Sequence, residues 1–264
     1  LSVAMLFPLI ATFCFGENDW VAFVIPAIVT FATGFFLSKI FASNEEMSTR
    51  EGFSIVALVW VVFTIFGALP YVFVGHSYTD AFFQTMSGFT TTGSNVFRDI
   101  ASHSKGILIW GNITQWIGGM GIIVMSLAIL PVLGIGGMQL FRAEVPGPVS
   151  DKLTPRIRDT AKILYQTYIF LTLVECLLLW IAGMDFFSAV CHSLSTLSSG
   201  GFSPHNASVA HYDSSWIHFI IIVFMLASGV NFALHYQFSR LKFSSIWTDT
   251  EFKSYLFFTM SVVF

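Results

Sequence analysis

Ser87-Gly88-Phe89-Thr90-Thr91-Thr92-Gly93 returns 108 residues later, in altered form, as Ser195-Thr196-Leu197-Ser198-Ser199-Gly200-Gly201. Both stretches are small polar loops between long apolar segments. The same offset lays the apolar run 53–74 on 161–182 and 106–133 on 214–241, so the chain carries an internal repeat. One Ser/Thr/Gly-rich connection between apolar segments is ordinarily just a loop. Two at a fixed period, at membrane depth, are the pattern with which a chain lines an ion path.

Composition names the solvent. Hydrophobic residues make up 55% of the chain, charged residues 10%, and mean hydropathy is +0.76. A soluble domain carries about 25% charged residues, so these values exclude a water-soluble globule and predict an all-α, multi-pass membrane protein. The 30 Phe suit helices that face lipid. Apolar runs long enough for about 30 Å of hydrocarbon fall at 1–15, 20–41, 53–74, 106–133, 160–182 and 214–238. The first is short and begins without Met, so it reads as a clipped helix. A signal peptide is the alternative, weakened by the absence of a basic start and of an Ala-x-Ala site before Glu17. A seventh run, 255–264, is too short to span, so both ends read as cut.

The basic residues orient the chain. With a cytoplasmic start, Lys39, Arg50, Arg142, Lys152, Arg156, Arg158, Lys162, Arg240, Lys242 and Lys253 lie inside, and only Arg98 and Lys105 outside. That is the positive-inside bias of a membrane protein. It sends both polar loops in from the outer face. Cys14, Cys176 and Cys191 show no metal-ligand spacing and read as small buried hydrophobes.

Each repeat reads as helix, short re-entrant helix, extended loop, helix. Ser77 precedes Asp80 by three residues, and Asp185 precedes Ser188 by three, which are N-cap types at matched positions. The short helices are expected at 81–89 and 189–197, enough for half a bilayer. Non-helical backbone at that depth is tolerated only where protein buries it or water reaches it. Residues 90–93 and 198–201 should leave the helix, freeing carbonyls that need a donor or a cation. The half-helices would also aim the negative ends of their dipoles inward, favouring a cation.

The motifs carry a resemblance. Arg50-Glu51-Gly52-Phe53, Gly67-Ala68-Leu69-Pro70, Asp80-Ala81-Phe82-Phe83 and Gln115-Trp116-Ile117-Gly118-Gly119-Met120-Gly121 come first. Gly136-Gly137-Met138-Gln139-Leu140-Phe141-Arg142-Ala143-Glu144, Pro146-Gly147-Pro148, Lys152-Leu153-Thr154-Pro155-Arg156 and Gly200-Gly201-Phe202-Ser203 continue it to the end of the chain. Together they resemble the membrane subunit of Trk-type potassium uptake systems, within the Trk/Ktr/HKT superfamily, over its N-terminal half or so. The resemblance implies helix–pore-loop–helix units like those of potassium channels, four around one pore, of which two complete repeats and the start of a third are present.

The implied organisation is an N-terminal transmembrane helix pair (1–49), a first repeat (50–145), a cytoplasmic linker (146–158), a second repeat (159–242) and the start of a third (243–264). The implied potassium-binding filter is Thr90, Thr91, Thr92 and Gly93 with Ser198, Ser199, Gly200 and Gly201. Related plant transporters with Ser at the first filter glycine tend to favour sodium, so Gly93 leans toward potassium. The resemblance further implies potassium as the transported ion with no covalent cofactor, a bacterial inner-membrane location among lipid, a cytosolic nucleotide-binding regulatory subunit, a homodimer of the full-length protein, and no nucleic acid. Pro204 departs from the family's Thr. With half the filter missing, this length alone is expected not to conduct unless two chains complete one ring.

Other polar residues keep two readings each. Glu175, inside an apolar span, reads as a cation or proton contact or as a hydrogen-bonding group toward another helix. Asn231 and His235, at i, i+4 spacing, read as pore lining or interhelical glue. Gly118, Gly119 and Gly121 read chiefly as packing positions. A hydrolase built on Ser199 with His192, His205 or His235 would need a base within hydrogen-bond reach, which the spacing does not secure. A coupled secondary transporter with broken helices, or a non-conducting fragment, remains the alternative.

Overall fold

The computed structural model describes residues 1–41, 49–129, 157–230, 234 and 249–263. All regular structure among them is helical, with no strand, as the apolar runs predict. A 3-10 turn, Ala4–Leu6, leads into α1 (Phe7–Cys14), then α2 (Val21–Ile40), α3 (Thr49–Gly67), α4 (Leu69–Phe73), α5 (Tyr78–Phe89) and α6 (Lys105–Ile129). Further along are α7 (Ile157–Ile181), α8 (Phe186–Leu197), α9 (Ser215–Ser228) and α10 (Thr250–Val263). The last begins five residues before the expected run, because the Asp249 carboxylate accepts the Phe252 N–H at 2.8 Å and caps it.

Two helices, Val21–Ile40 and Lys162–Ile181, are long and apolar enough to cross a membrane, with mean hydropathy 2.1 and 1.6. Only 22% and 28% of their apolar stretches are buried. A helix that is apolar all round yet exposed belongs in hydrocarbon and not in a water-soluble core. Phe31, Phe35 and Phe36 on α2, and Phe170, Leu173 and Trp180 on α7, make that outward surface.

The hub is α6, which packs against α1, α3, α5, α7 and α8. Trp110 is fully buried and its Nε1–H donates to the Gly67 carbonyl at 3.0 Å, tying α6 to the end of α3. Met5, Phe23, Ala68, Tyr71 and Ile107 pack around it. The N-terminal residues therefore share the core of the rest. Glu17 accepts the backbone N–H groups of Lys105 (2.8 Å) and Gly106 (3.2 Å), and Ser104 donates to Asp19. These acids satisfy donors that the first turn of α6 cannot satisfy itself. Against Gly106 lies Thr12, so α1 turns its inner side to α6 and leaves Cys14 exposed. Of the cysteines expected to be buried, only Cys191 is; Cys176 is half-buried.

The short helices begin at Tyr78 and Phe186, three residues before the expected 81 and 189, because Ser77 and Asp185 are the caps themselves. Both caps are extended, at φ −62°, ψ 146° and φ −60°, ψ 147°. Ser77 Oγ accepts the Asp80 N–H at 3.2 Å, and Asp185 Oδ2 accepts the Ser188 N–H at 2.9 Å. Ser77→Ala and Asp185→Ala should each destabilise the full-length protein by about 1 kcal/mol. Asp185→Ala should cost more, since it also removes charge from the positive end of the helix. Thermal unfolding checks this, and unchanged melting of both variants would dismiss the caps.

Candidate functional site

Both short helices unwind at matched points. Thr91 (φ +52°) and Ser199 (φ +55°) take left-handed backbone, followed by Gly93 (φ +75°) and Gly201 (φ +91°). The hydrogen bonds match as well. Thr92 N–H donates to the Ser87 carbonyl at 3.0 Å, and Gly200 N–H to the Ser195 carbonyl at 2.9 Å. A side chain at positive φ costs about 1–2 kcal/mol, so neighbours must hold Thr91 and Ser199 there. Among the described residues, the carbonyls of 90–93 and 198–201 accept no hydrogen bond.

The two loops are neighbours. A Cβ on Gly93 would stand 2.0 Å from the carbonyl oxygen of Gly200, so only glycine permits this approach. Helix α6 backs both loops. A Cβ on Gly118 would lie 2.2 Å from the Phe89 carbonyl oxygen, and one on Gly119 would lie 2.9 Å from Ser198 Cα. Adjacent glycines thus notch α6 for the ends of α5 and α8, the packing role expected of small residues.

One turn earlier, Gln115 clamps the second loop. Its Oε1 accepts Ser195 Oγ–H at 3.0 Å and Phe202 N–H at 3.1 Å, while Ser195 Oγ accepts Gly201 N–H at 2.9 Å. The side chain is fully buried. In the sequence Gln115 stands inside a motif without an assigned role; an amide in an apolar helix is the signal, because buried polar groups are hydrogen-bonded. The first loop is tied differently. Gln84 Oε1 accepts Val96 N–H at 3.1 Å. The positions 108 residues later are His192 and Pro204. Proline has no N–H to give, and His192 Nε2 has no hydrogen-bond partner among the described residues. The departure at Pro204 changes the tie beside the loop and leaves the turn itself alone.

Glu175 is fully buried on α7 beside Thr196, against the last turn of α8, and neither carboxylate oxygen closes a hydrogen bond of normal geometry among the described residues. Asn231 and His235 lie outside the described residues. Ser199 Oγ pairs with Ser228 Oγ at 3.2 Å.

A polar layer joins the ends of the loops. Asn206 donates to Asp99 Oδ1 at 2.9 Å and accepts the Ile100 N–H at 2.7 Å. His205 Nε2 meets Ser188 Oγ at 3.1 Å and Tyr212 Oη at 3.2 Å. Burial, then the His211 ring stacked 3.9 Å away, hold His205 below the ordinary imidazole value. Burial pushes the Asp185 carboxyl up, but the hydrogen bonds from Ser188 together with the nearby His205 and Lys105 outweigh it and leave the group below the usual carboxylate value.

A family model described as TrkH, cation transport protein, matches residues 21–264. The chain belongs to the TrkH family of cation transport proteins. Relatives in this family include the Trk system potassium uptake protein TrkH of Escherichia coli (strain K12), 48% identical over 216 residues that cover 80% of this chain and 45% of that protein. TrkH of Vibrio parahaemolyticus serotype O3:K6 is 43% identical over 270 residues, 97% of this chain and 54% of that protein. The crystal structure of the potassium transporter TrkH from Vibrio parahaemolyticus matches with a TM-score of 0.84 at 39% identity, covering 97% of this chain and 53% of that one. The chain spans about half the length of the curated relatives it matches. The motifs therefore led to the right family.

Proposed function

We propose that this chain supplies two of the pore loops of a potassium uptake protein in a bacterial inner membrane, crossing the bilayer several times. In this reading 50–145 and 159–242 are helix–pore-loop–helix repeats, preceded by a helix pair at 1–49, joined by a cytoplasmic linker at 146–158, and followed at 243–264 by the start of a third. The length of the relatives that the chain does not span would supply the remaining loops. Thr90, Thr91, Thr92, Gly93, Ser198, Ser199, Gly200 and Gly201 are the filter residues. The observation that carries the proposal is the contact between Gly93 and Gly200, which sets side by side two loops whose carbonyls accept no hydrogen bond among the described residues.

Those oxygens would replace the water shell of a potassium ion, while the C-terminal ends of α5 and α8 lend it negative potential. Such a pore needs no coupled ion. A membrane potential supplies about 2.3 kcal/mol per charge per 100 mV, and about 1.4 kcal/mol is a factor of ten, so ~100 mV supports roughly 40-fold accumulation. Catalysis is not part of this reading: among the described residues the Ser199 hydroxyl pairs with the Ser228 hydroxyl. A nucleotide-binding subunit on the cytosolic side and a homodimer of the full-length protein complete the proposal. Full-length protein in liposomes should take up rubidium in proportion to imposed voltage with no sodium or proton gradient. Uptake that demands either gradient would favour a coupled secondary transporter.

A further inference from the structure

His76 lies in the turn before α5, and His103 in the segment leading from the first loop to α6. Their Nε2 atoms are 3.0 Å apart. His103 Nδ1 faces the carbonyls of Asp99 (2.9 Å) and Ile100 (3.3 Å), which can only accept, so this nitrogen carries the proton. The neutral His103 ring therefore presents a bare Nε2 lone pair to His76. A backbone carbonyl on the far nitrogen is also how metal-bound imidazoles are held. Phe97 packs against both rings, at 4.2 Å from His76 and 4.7 Å from His103, and fixes their aim. Both histidines are only half-buried, within reach of dissolved ions.

With no metal present, His76 Nε2–H donates to the His103 lone pair at 3.0 Å; once the His76 proton shifts to Nδ1, both Nε2 atoms are free to ligate one cation. We infer that His76 and His103 form a two-imidazole site for a divalent transition metal such as Zn2+ or Ni2+. Imidazole suits these ions and not alkali cations. With metal–nitrogen bonds of about 2.0–2.1 Å and a tetrahedral angle, the two nitrogens would sit about 3.3 Å apart, a small opening of the observed pair. Among the described residues no group of three or more His, Cys, Asp or Glu side chains converges, so water would fill the other positions. The His205 and His211 pair does not compete, because His205 Nε2 is already engaged by Ser188 and Tyr212. A metal here would staple the turn before α5 to the segment beyond the first loop. His103, Phe97 and Asn95 also line a cavity of about 20 Å³ shared with Asn112 and Ser203, so the staple bears on both loops.

The test is calorimetric titration of NiCl2 and ZnCl2 into the full-length protein, which does not depend on transport. Saturable binding of one ion per chain is expected, weakened at least about tenfold by His76→Ala and by His103→Ala, since loss of a mere supporting group already costs about 10–100-fold. His205→Ala should bind as the parent does. His103→Gln, which keeps a hydrogen-bonding side chain, decides the matter if His103→Ala fails to fold. Absence of saturable binding, or binding untouched by the His76 and His103 variants, overturns the site.

Discussion

Gly93→Ser in the full-length protein is expected to raise sodium uptake relative to potassium by about tenfold or more and to cut potassium uptake by a similar factor. Two costs meet at this position. The backbone at φ +75° penalises any side chain by about 1–2 kcal/mol. The new Cβ would also stand 2.0 Å from the Gly200 carbonyl oxygen, which is backbone and cannot rotate away. The collision is relieved only by moving an oxygen of the proposed filter, and displacing it by a free energy near 1.4 kcal/mol already changes ion preference tenfold. Gly201→Ser is the informative comparison. Its φ of +91° brings the same strain, yet no atom of the described residues lies within 4 Å of its added Cβ. Its effect should be the smaller one. The measurement is the ratio of sodium to rubidium flux into liposomes; an unaltered ratio in Gly93→Ser would remove residues 90–93 from the filter.

What could be read from the sequence was what is local. The caps at Ser77 and Asp185, the Ser/Thr- and Gly-rich stops after Phe89 and Leu197, and the apolar runs all act within a few residues, and each appears among the described residues where its chemistry demands. The short helices reach three residues further back than expected only because a capping residue sits outside the helix it starts. Contacts between distant segments left no local trace. Glu17 capping α6 joins residues 88 positions apart, and nothing about an acid after a short apolar run announces that use. Likewise Gln115 could be seen as a polar residue in an apolar helix, but its grip on Ser195 and Phe202 depends on α8 folding back beside α6. The offset of 108 does suggest comparing Gln84 with His192 and Val96 with Pro204. Pro204 shows at once that its pair with His192 cannot form such a bond, whereas the bond from the Val96 N–H to Gln84 is seen only in the fold. Family motifs suggested the proposed filter residues as a set, whereas the contact of Gly93 with Gly200 is a fact of packing alone.

Packing also makes Gly118→Ala the largest expected loss of stability. Alanine is ordinarily the better helix former, by about 1 kcal/mol, and Gly118 lies within α6. Here the added methyl would meet the Phe89 carbonyl oxygen at 2.2 Å, its carbon at 2.8 Å and its Cα at 3.0 Å. All three are backbone at the end of α5, held by Thr90 and Thr91 N–H bonds back into the same turn. Neither helix can yield without moving the first loop, so the overpacking penalty of about 1–3 kcal/mol should exceed the gain in helix propensity. Gly34, inside α2, has no atom of the described residues within 4 Å of its would-be Cβ. Gly34→Ala should therefore leave stability unchanged or raise it, while Gly118→Ala lowers it by about 2 kcal/mol and impairs potassium uptake with it. Thermal unfolding of the two full-length variants side by side separates propensity from contact. Equal melting temperatures would mean that α6 does not carry α5 on its glycine notch.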